Sequence, residues 1–118
     1  MDRKQAKAEY KQARPPMGIV RVRNLTNDRS YIVASRNTRG TMNSLRFQLS
    51  AGSFPKSEEL CRDWKALGED RFVIEVIDEL APVADPSHDH AADLRELEAL
   101  WLQKLRPYGE RGYHGARP

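Results

Sequence analysis

The sequence predicts one mixed α/β (α+β) domain in which three short strands are combined with four helices. Three segments, 18–23, 30–34 and 71–77, are rich in β-branched and aromatic residues and alternate along the chain as strands do. Four other segments carry apolar residues at helical spacing. At 118 residues the chain is long enough for one hydrophobic core and marginal for two.

The composition is that of an ordinary globular protein, with 39% hydrophobic and 31% charged residues. No apolar run approaches the ~20 residues of a membrane-spanning helix, so we expect no membrane association. The single cysteine, Cys61, cannot form an internal disulfide and fits a reducing compartment. We therefore expect a cytoplasmic protein.

Positive charge is concentrated in the first half of the chain. Residues 1–50 contain 11 Lys or Arg and 3 Asp or Glu, a net charge of +8, whereas residues 51–118 contain 9 and 14, a net charge of −5. A basic half suits a polyanionic partner such as nucleic acid. A solvated basic surface without a partner is the alternative.

Residues 1–16 are predicted to form a basic helix that precedes the main domain, 17–113, and a short tail, 114–118. Asp2 can cap this helix, and Pro15-Pro16 end it because proline lacks a backbone N–H. The helix either packs on the domain through Tyr10 or contacts phosphate through its lysines.

The first two strands are predicted to form a hairpin. Asn24 to Asp28 is a turn cluster, since Asn and Asp tolerate left-handed conformations. Alternation places Val20 and Val22 on one face of the first strand and Ile19 on the other. Tyr31 lies on the second strand, where a sheet-face role and a functional role are both open.

Three helices and one strand are predicted to follow the hairpin. The first helix follows a loop at 37–41 and ends at Gly52; its apolar residues are Met42, Leu45, Phe47 and Leu49. The second runs from a Ser57 cap to Gly68, with a buried face of Leu60, Trp64 and Leu67. Segment 71–77 is apolar on both faces, which predicts a central strand. The last helix covers about 91–105.

Glu98 is the most informative residue of the last helix. It falls within the apolar seam formed by Leu94, Leu97, Trp101 and Leu105. A carboxylate in such a seam is costly unless it is paired or binds a cation. Metal binding and an ion pair with an arginine such as Arg46 are equally open.

His88-Asp89-His90 precedes this helix and suggests either a metal site or a helix cap. Two histidines without a thiolate make a poor zinc site. Acids near a helix N-terminus are favoured by the helix dipole, so we expect the cap.

Two tripeptides in the hairpin, Gly18-Ile19-Val20 and Tyr31-Ile32-Val33, resemble the signature tripeptides of the GIY-YIG nuclease family. The resemblance extends from Met17 to about Tyr113. Further similar segments follow in order: Arg46-Phe47-Gln48-Leu49, Asp63-Trp64, Leu97-Glu98-Ala99-Leu100-Trp101-Leu102 and Arg106-Pro107-Tyr108-Gly109. The resemblance implies a three-stranded antiparallel sheet flanked by helices, with the N-terminal helix as an addition.

The resemblance also implies a site for phosphodiester hydrolysis. Such a site uses two tyrosines, an arginine, a histidine and a glutamate that holds one divalent cation, usually magnesium. In this chain Tyr31 matches the second tyrosine, and Glu98 matches the metal-binding glutamate. Val20 replaces the first tyrosine, and Val33 replaces the glycine of the second tripeptide.

Other positions of the implied site are also replaced. The arginine position falls near Thr41 or Ser44, and Leu45 and Phe54 lie where family members often have histidine. His114 lies where asparagine is common. Arg39 and Arg46 are close enough in sequence to supply the missing charge. Loss of a general base typically costs ~10²–10⁴-fold in rate, which favours a weak or inactive nuclease.

Three functions remain open. The first is a degenerate GIY-YIG domain that binds DNA, or RNA, with weak or no cleavage. Its phosphate contacts would come from Arg21, Arg23, Arg29, Arg36, Arg39 and Arg46. The second is an active endonuclease with Mg²⁺, or Mn²⁺, on Glu98, with Tyr31 orienting water and Arg39 or Arg46 on the phosphate. The third is a protein-interaction module, for which a homodimer is one form. The nuclease hypotheses would fail if Tyr31 and Glu98 lay on opposite sides of the molecule with no arginine lining the gap between them.

Overall fold

The computed structural model describes residues 15–115 except 82 and 86. The strands are β1 (Met17–Asn24), β2 (Ser30–Ser35) and β3 (Phe72–Leu80). The helices are α1 (Thr38–Ser50), α2 (Glu58–Leu67) and α3 (His90–Leu105), with single 3-10 turns at Glu69–Arg71 and Gly109–Arg111. The predicted N-terminal helix, apart from its final prolines, lies outside the described residues.

The strands form one antiparallel sheet in the order β2-β1-β3. The predicted hairpin and the three-stranded antiparallel sheet are therefore confirmed. The prediction that the third strand is central was wrong, because β1 occupies the centre and β3 pairs with β1 alone. Most β3 side chains are half-buried, so apolar residues on both faces of this edge strand do not indicate full coverage.

The two faces of the sheet carry different layers. Val22 lies opposite Tyr31 and Val20 opposite Val33 on the face that α1 and α2 cover. Ile19 lies on the other face, where α3 packs against β1 and β2. The core of the first layer also includes Leu45, Leu49, Leu60, Trp64 and Phe72.

Helix α1 begins earlier than the sequence predicts. The Asn37 side chain accepts a hydrogen bond from the Gly40 N–H at 3.1 Å, so part of the predicted loop forms the first helical turn. Phe47, which was counted among the apolar residues of this helix, is 74% exposed. Ser57 caps α2 as predicted, whereas Leu67 at its end is exposed rather than buried.

Asp89 caps α3, and its side chain accepts a hydrogen bond from the Ala92 N–H at 3.0 Å. His88 is paired with Asp93 in the first turn. Within the described part of the chain, no three His, Cys, Asp or Glu residues form a group that could hold a metal ion. The cap prediction is confirmed. None of the described helices is long and apolar enough to cross a membrane.

Candidate functional site at the free edge of β2

The outer edge of β2 holds two ionisable side chains beside each other. Among the described strands β2 pairs only with β1, and the N–H groups of Ile32 and Ala34 point to the opposite side of β2. The Ile32 N–H donates to His114 Nε2 at 2.9 Å, and the Ala34 N–H donates to Glu98 Oε2 at 3.1 Å. N–H groups on one side of a strand recur every second residue. The N–H groups of Ile32 and Ala34 therefore hold the His114 imidazole and the Glu98 carboxylate side by side along this edge.

The C-terminal segment reaches β2 through a parallel bridge between Ser30 and Gly112. The Tyr113 N–H donates to the Ser30 carbonyl at 2.9 Å, and the His114 N–H donates to the Pro107 carbonyl at 3.0 Å. A Cβ atom at Gly112 would lie 2.2 Å from the Pro107 carbonyl group. Only glycine therefore allows this close passage of the chain.

Tyr31 completes the group. Its ring stacks on the His114 ring, with the centroids 4.5 Å apart and the planes 8° from parallel, and its edge meets Phe54. Burial raises the pKa of Tyr31, and the charge of Glu98 raises it further. The hydroxyl is consequently protonated at neutral pH and can donate a hydrogen bond. We refer to Tyr31, Glu98 and His114 as the edge cluster.

His114 is held in one tautomer. Since Nε2 accepts the Ile32 N–H, the proton of the neutral ring lies on Nδ1. Burial lowers the pKa of His114, and the charge of Glu98 opposes that shift. In this state the ring donates at Nδ1 and has no free lone pair with which to take a proton from water.

Glu98 lies in the α3 seam as the sequence indicates. It forms no ion pair with Arg46 or with any other basic side chain of the described residues. Oε2 accepts the Ala34 N–H, and no described group bonds Oε1. Magnesium is commonly held by one or two carboxylates together with waters and substrate phosphate. The donor set at Glu98 therefore fits such an ion.

A cleft of about 270 Å³ opens beside Tyr31, between β2 and α1. Its lining includes three apolar side chains, which we call the apolar wall: Val33, Leu45 and Phe54. Its polar lining comes from Thr41, Ser44 and Gln48 on α1 and from Lys56 in the connection that follows α1. Lys56 is the single basic residue among the described residues that line this cleft.

The fold resembles that of two solved structures. The catalytic domain of the homing endonuclease I-TevI superposes with a TM-score of 0.68 at 19% identity, covering 86% of this chain and 99% of that one. A mutant catalytic domain of intron endonuclease I-TevI gives 0.67 at 18% identity, covering 83% and 91%. The chain has a GIY-YIG-like fold. No protein-family model matches the sequence, and no curated protein matches it.

In this GIY-YIG-like fold the two replaced signature positions face each other. Val20 and Val33 are directly opposed across β1 and β2, and Val20 is fully buried. Val20 therefore offers no hydroxyl to the site, and the Val33 side chain occupies part of the cleft wall. Leu45 and Phe54, at the positions where members of the GIY-YIG family often have histidine, belong to the same apolar wall.

Arg39 and Arg46, which were predicted to contact phosphate, are not among the described residues that line the cleft. The residues of α1 that face the cleft are Thr41, Ser44, Leu45 and Gln48. At 100° per residue both arginines project about 150° or more away from the centre of that face. Both are exposed, so they remain available for contacts outside the cleft.

Arg29, predicted to contact phosphate, instead anchors the C-terminal segment. It pairs with Glu59 and donates to the carbonyls of Gly109 and Gly112 at 3.0 Å each. Its guanidinium also lies over the Tyr113 ring, 4.5 Å from the centroid. These hydrogen bonds all come from Nη2, whereas Nε is buried and has no partner among the described residues.

The Tyr113 hydroxyl links three elements below the edge cluster. It donates to Asp63 Oδ2 on α2 at 2.7 Å and accepts from Asn24 Nδ2 at the end of β1 at 2.9 Å. Burial and the bond to Asp63 raise the pKa of Tyr113 to about 12. Asn24 is fully buried, so this bond satisfies its amide.

The remaining predicted arginines lie apart from the cleft. Arg36 is exposed just after β2. Arg21 pairs with Glu75 on β3. Arg21 and Arg23 line a separate depression of about 380 Å³ on the α3 face of the sheet, which we call the opposite basin; its other charged residues are Asp28, Lys104, Glu110 and Arg111.

His114 and Lys56 are the two site residues whose positions the sequence did not establish. His114 was noted only as a replaced asparagine, and its contact with β2 depends on the bridge between Ser30 and Gly112. Lys56 lies in the connection between α1 and α2, where no periodic pattern marks it.

Proposed function

We propose that the chain binds nucleic acid through backbone phosphates at the cleft beside Tyr31 and cleaves phosphodiester bonds weakly or not at all. The observation that carries this proposal is the edge cluster itself. Tyr31, Glu98 and His114 meet next to a cleft that is lined by the basic Lys56 and by an apolar wall. The two structures that share this fold are endonuclease catalytic domains.

Positive charge in the cleft and on the outer side of α1 supports the binding part of the proposal. Lys56 lines the cleft, and Arg39 and Arg46 project from the exposed side of α1. None of the three has an ion-pair partner among the described residues. Such charges attract a phosphate backbone without reading its sequence. We expect DNA as the partner in preference to RNA.

The state of the ionisable groups supports the weak-cleavage part. Val20 carries no hydroxyl, Tyr31 keeps its proton at neutral pH, and His114 has its acceptor nitrogen occupied. None of these groups can act as a general base in this arrangement, and such a loss typically costs ~10²–10⁴-fold in rate. Glu98 would hold magnesium or manganese, which supplies Lewis-acid stabilisation of phosphate charge when bound.

A salt-dependent binding titration tests the binding proposal. Fluorescence anisotropy of labelled duplex DNA, single-stranded DNA and RNA would be measured against the whole chain. We expect log affinity to fall linearly with log salt concentration, with DNA bound more tightly than RNA. Absence of affinity for all three polymers at low salt would overturn the proposal.

An active metal-dependent endonuclease is the second candidate. The unpaired carboxylate of Glu98 beside the Tyr31 hydroxyl favours it. Incubation of plasmid and single-stranded DNA with Mg²⁺ or Mn²⁺ would reveal cleavage, and Glu98→Ala should abolish it. Glu96→Ala, an exposed acid on the same helix, is the matched control. Efficient cleavage by the unmodified chain, lost only in Glu98→Ala, would replace the weak-cleavage proposal with this one.

A further inference from the structure

We propose that Lys56, rather than an arginine on α1, supplies the positive charge that binds one backbone phosphate in the cleft. Ser44 and Tyr31 then donate hydrogen bonds to the oxygens of that phosphate. This inference rests on the proposed function and specifies its binding group. The sequence led to arginines on α1 as the candidates, and the structure directs those side chains away from the cleft.

Among the described residues, no acid in the cleft pairs with Lys56. Within the described residues, no acid lines the cleft and Lys56 forms no ion pair or hydrogen bond. The opposite basin differs, because it includes Asp28 and Glu110 and because Arg21 there is paired with Glu75. An anion entering the cleft therefore meets a lysine that no lining carboxylate of the described residues neutralises.

The backbone that carries Lys56 is fixed on both sides. Phe54 is buried against Tyr31, and the buried Ser57 caps α2. The Ser57 N–H donates to the Phe54 carbonyl at 3.2 Å and closes the turn that contains Lys56. Pro55 restricts the backbone further, since its ring fixes φ. The position of the Lys56 ammonium group therefore varies through the rotamers of its side chain rather than through movement of the backbone.

The polar lining on α1 offers hydrogen-bond donors to the cleft. The Gln48 amide donates to Ser44 Oγ at 2.8 Å, which leaves the Ser44 hydroxyl proton free to donate elsewhere. Tyr31 is protonated and likewise donates. Thr41 differs, since its hydroxyl is shared with Ser35.

One phosphodiester group matches this set of donors. Its oxygens accept hydrogen bonds and carry one negative charge, which Lys56, Ser44 and Tyr31 satisfy together. The apolar wall of Val33, Leu45 and Phe54 then lies against the attached sugar or base. Inorganic phosphate would use the donors alone, whereas a nucleic-acid backbone would also contact this wall, so we assign a nucleic-acid backbone as the ligand class.

The test compares four proteins by anisotropy titration with a fluorescein-labelled DNA duplex over a range of salt concentrations. They are the unmodified chain, Lys56→Ala, Lys56→Arg and Lys65→Ala. Lys65 is a matched control because it is an exposed lysine on α2 that does not line the cleft. Thermal unfolding of each variant verifies that it is folded.

We expect Lys56→Ala to weaken binding several-fold and to reduce the slope of log affinity against log salt by about one, as loss of one phosphate contact does. Lys56→Arg should keep the slope, and Lys65→Ala should change it little. If Lys56→Ala and Lys65→Ala have the same slope while the unmodified chain binds DNA, the inference fails and the proposed function stands. If the unmodified chain binds no DNA at low salt, the proposed function fails first.

Discussion

His114 links the stability of the site to pH through a single hydrogen bond. Its Nε2 accepts the Ile32 N–H, and a protonated ring could not accept it. Burial holds the pKa of His114 below its ordinary value of 6.5, and Glu98 partly opposes the shift. As pH falls below 6.5, the unfolded chain binds this proton first. The stability that His114 contributes is therefore complete above pH 6.5 and is lost as pH falls through the lower folded pKa.

Glu98→Gln should lower the pKa of His114 further, because the substitution removes the negative charge that raises it. Gln keeps an oxygen that can accept the Ala34 N–H, so the geometry should be retained. An NMR titration of the ring resonances measures the change, with Glu96→Gln as the control. An unchanged or raised His114 pKa in Glu98→Gln would show that the two side chains do not interact.

The register of β1 and β2 explains why two signature positions differ together. Val20 lies opposite Val33 in the buried face beneath α1 and α2, where the GIY-YIG tripeptides place a tyrosine opposite a glycine. A tyrosine at position 20 needs space that the Val33 side chain occupies. The summed side-chain volume of a Val–Val pair is similar to that of a Tyr–Gly pair, so either pair can fill this space between the two strands.

Val20→Tyr alone should therefore destabilise the protein by about 1–3 kcal/mol, as overpacking of a core does. Val33→Gly should lower the free energy of unfolding less in the Val20→Tyr protein than in the unmodified one. Urea unfolding of both single variants and the double variant measures the coupling energy. Strictly additive destabilisation would contradict the assignment of a shared space.

The C-terminal segment is fastened to β1 and α2 by the Tyr113 hydroxyl. Its bonds to Asn24 and Asp63 hold the residue that precedes His114, so this anchor also positions the edge cluster. Because Asn24 is fully buried, loss of the hydroxyl leaves an amide without its partner.

Tyr113→Phe should cost about 1–3 kcal/mol, the penalty for an unsatisfied buried polar group. The pKa of Tyr113 is raised to about 12, against 10.0 for a free tyrosine. The hydroxyl's contribution is thus full below pH 10 and is lost as pH rises towards 12. Denaturant unfolding at several pH values tests both points, with Tyr108→Phe as the control. Equal loss of stability in the two variants would contradict this role.

At the scale of the whole molecule, local sequence patterns predicted the strands and helices, but not which of these elements pack against each other. The alternating segments predicted the hairpin, and the Ser57 and Asp89 caps were also predicted correctly. The apolar faces of β3 predicted a central strand, but strand order depends on pairing that periodicity does not encode. The exposed Phe47 is a similar case, since composition cannot show which helix face lacks a neighbour.

The candidate site divides in the same way. Glu98 could be found from sequence because a carboxylate within an apolar helical seam is anomalous. Tyr31 was found through the signature tripeptide. Lys56 could not be found, since its place in the cleft depends on a turn between α1 and α2 rather than on a repeat.

The two basic depressions lie on opposite faces of the sheet, so they make different predictions about where nucleic acid binds. The cleft faces α1 and the edge cluster, whereas the opposite basin lies on the α3 face. The cleft is lined by one basic residue, Lys56, and by no described acid, whereas the four basic residues of the basin lie among the acids Asp28 and Glu110.

Amide chemical-shift mapping of the whole chain with a short DNA duplex at low salt tests the central claim most directly. We predict that the largest shifts occur at Ile32, Ala34, Ser44 and Lys56, around the cleft and the free edge of β2. Shifts confined to the opposite basin, or no shifts at all, would contradict the claim that this cleft binds the nucleic-acid backbone.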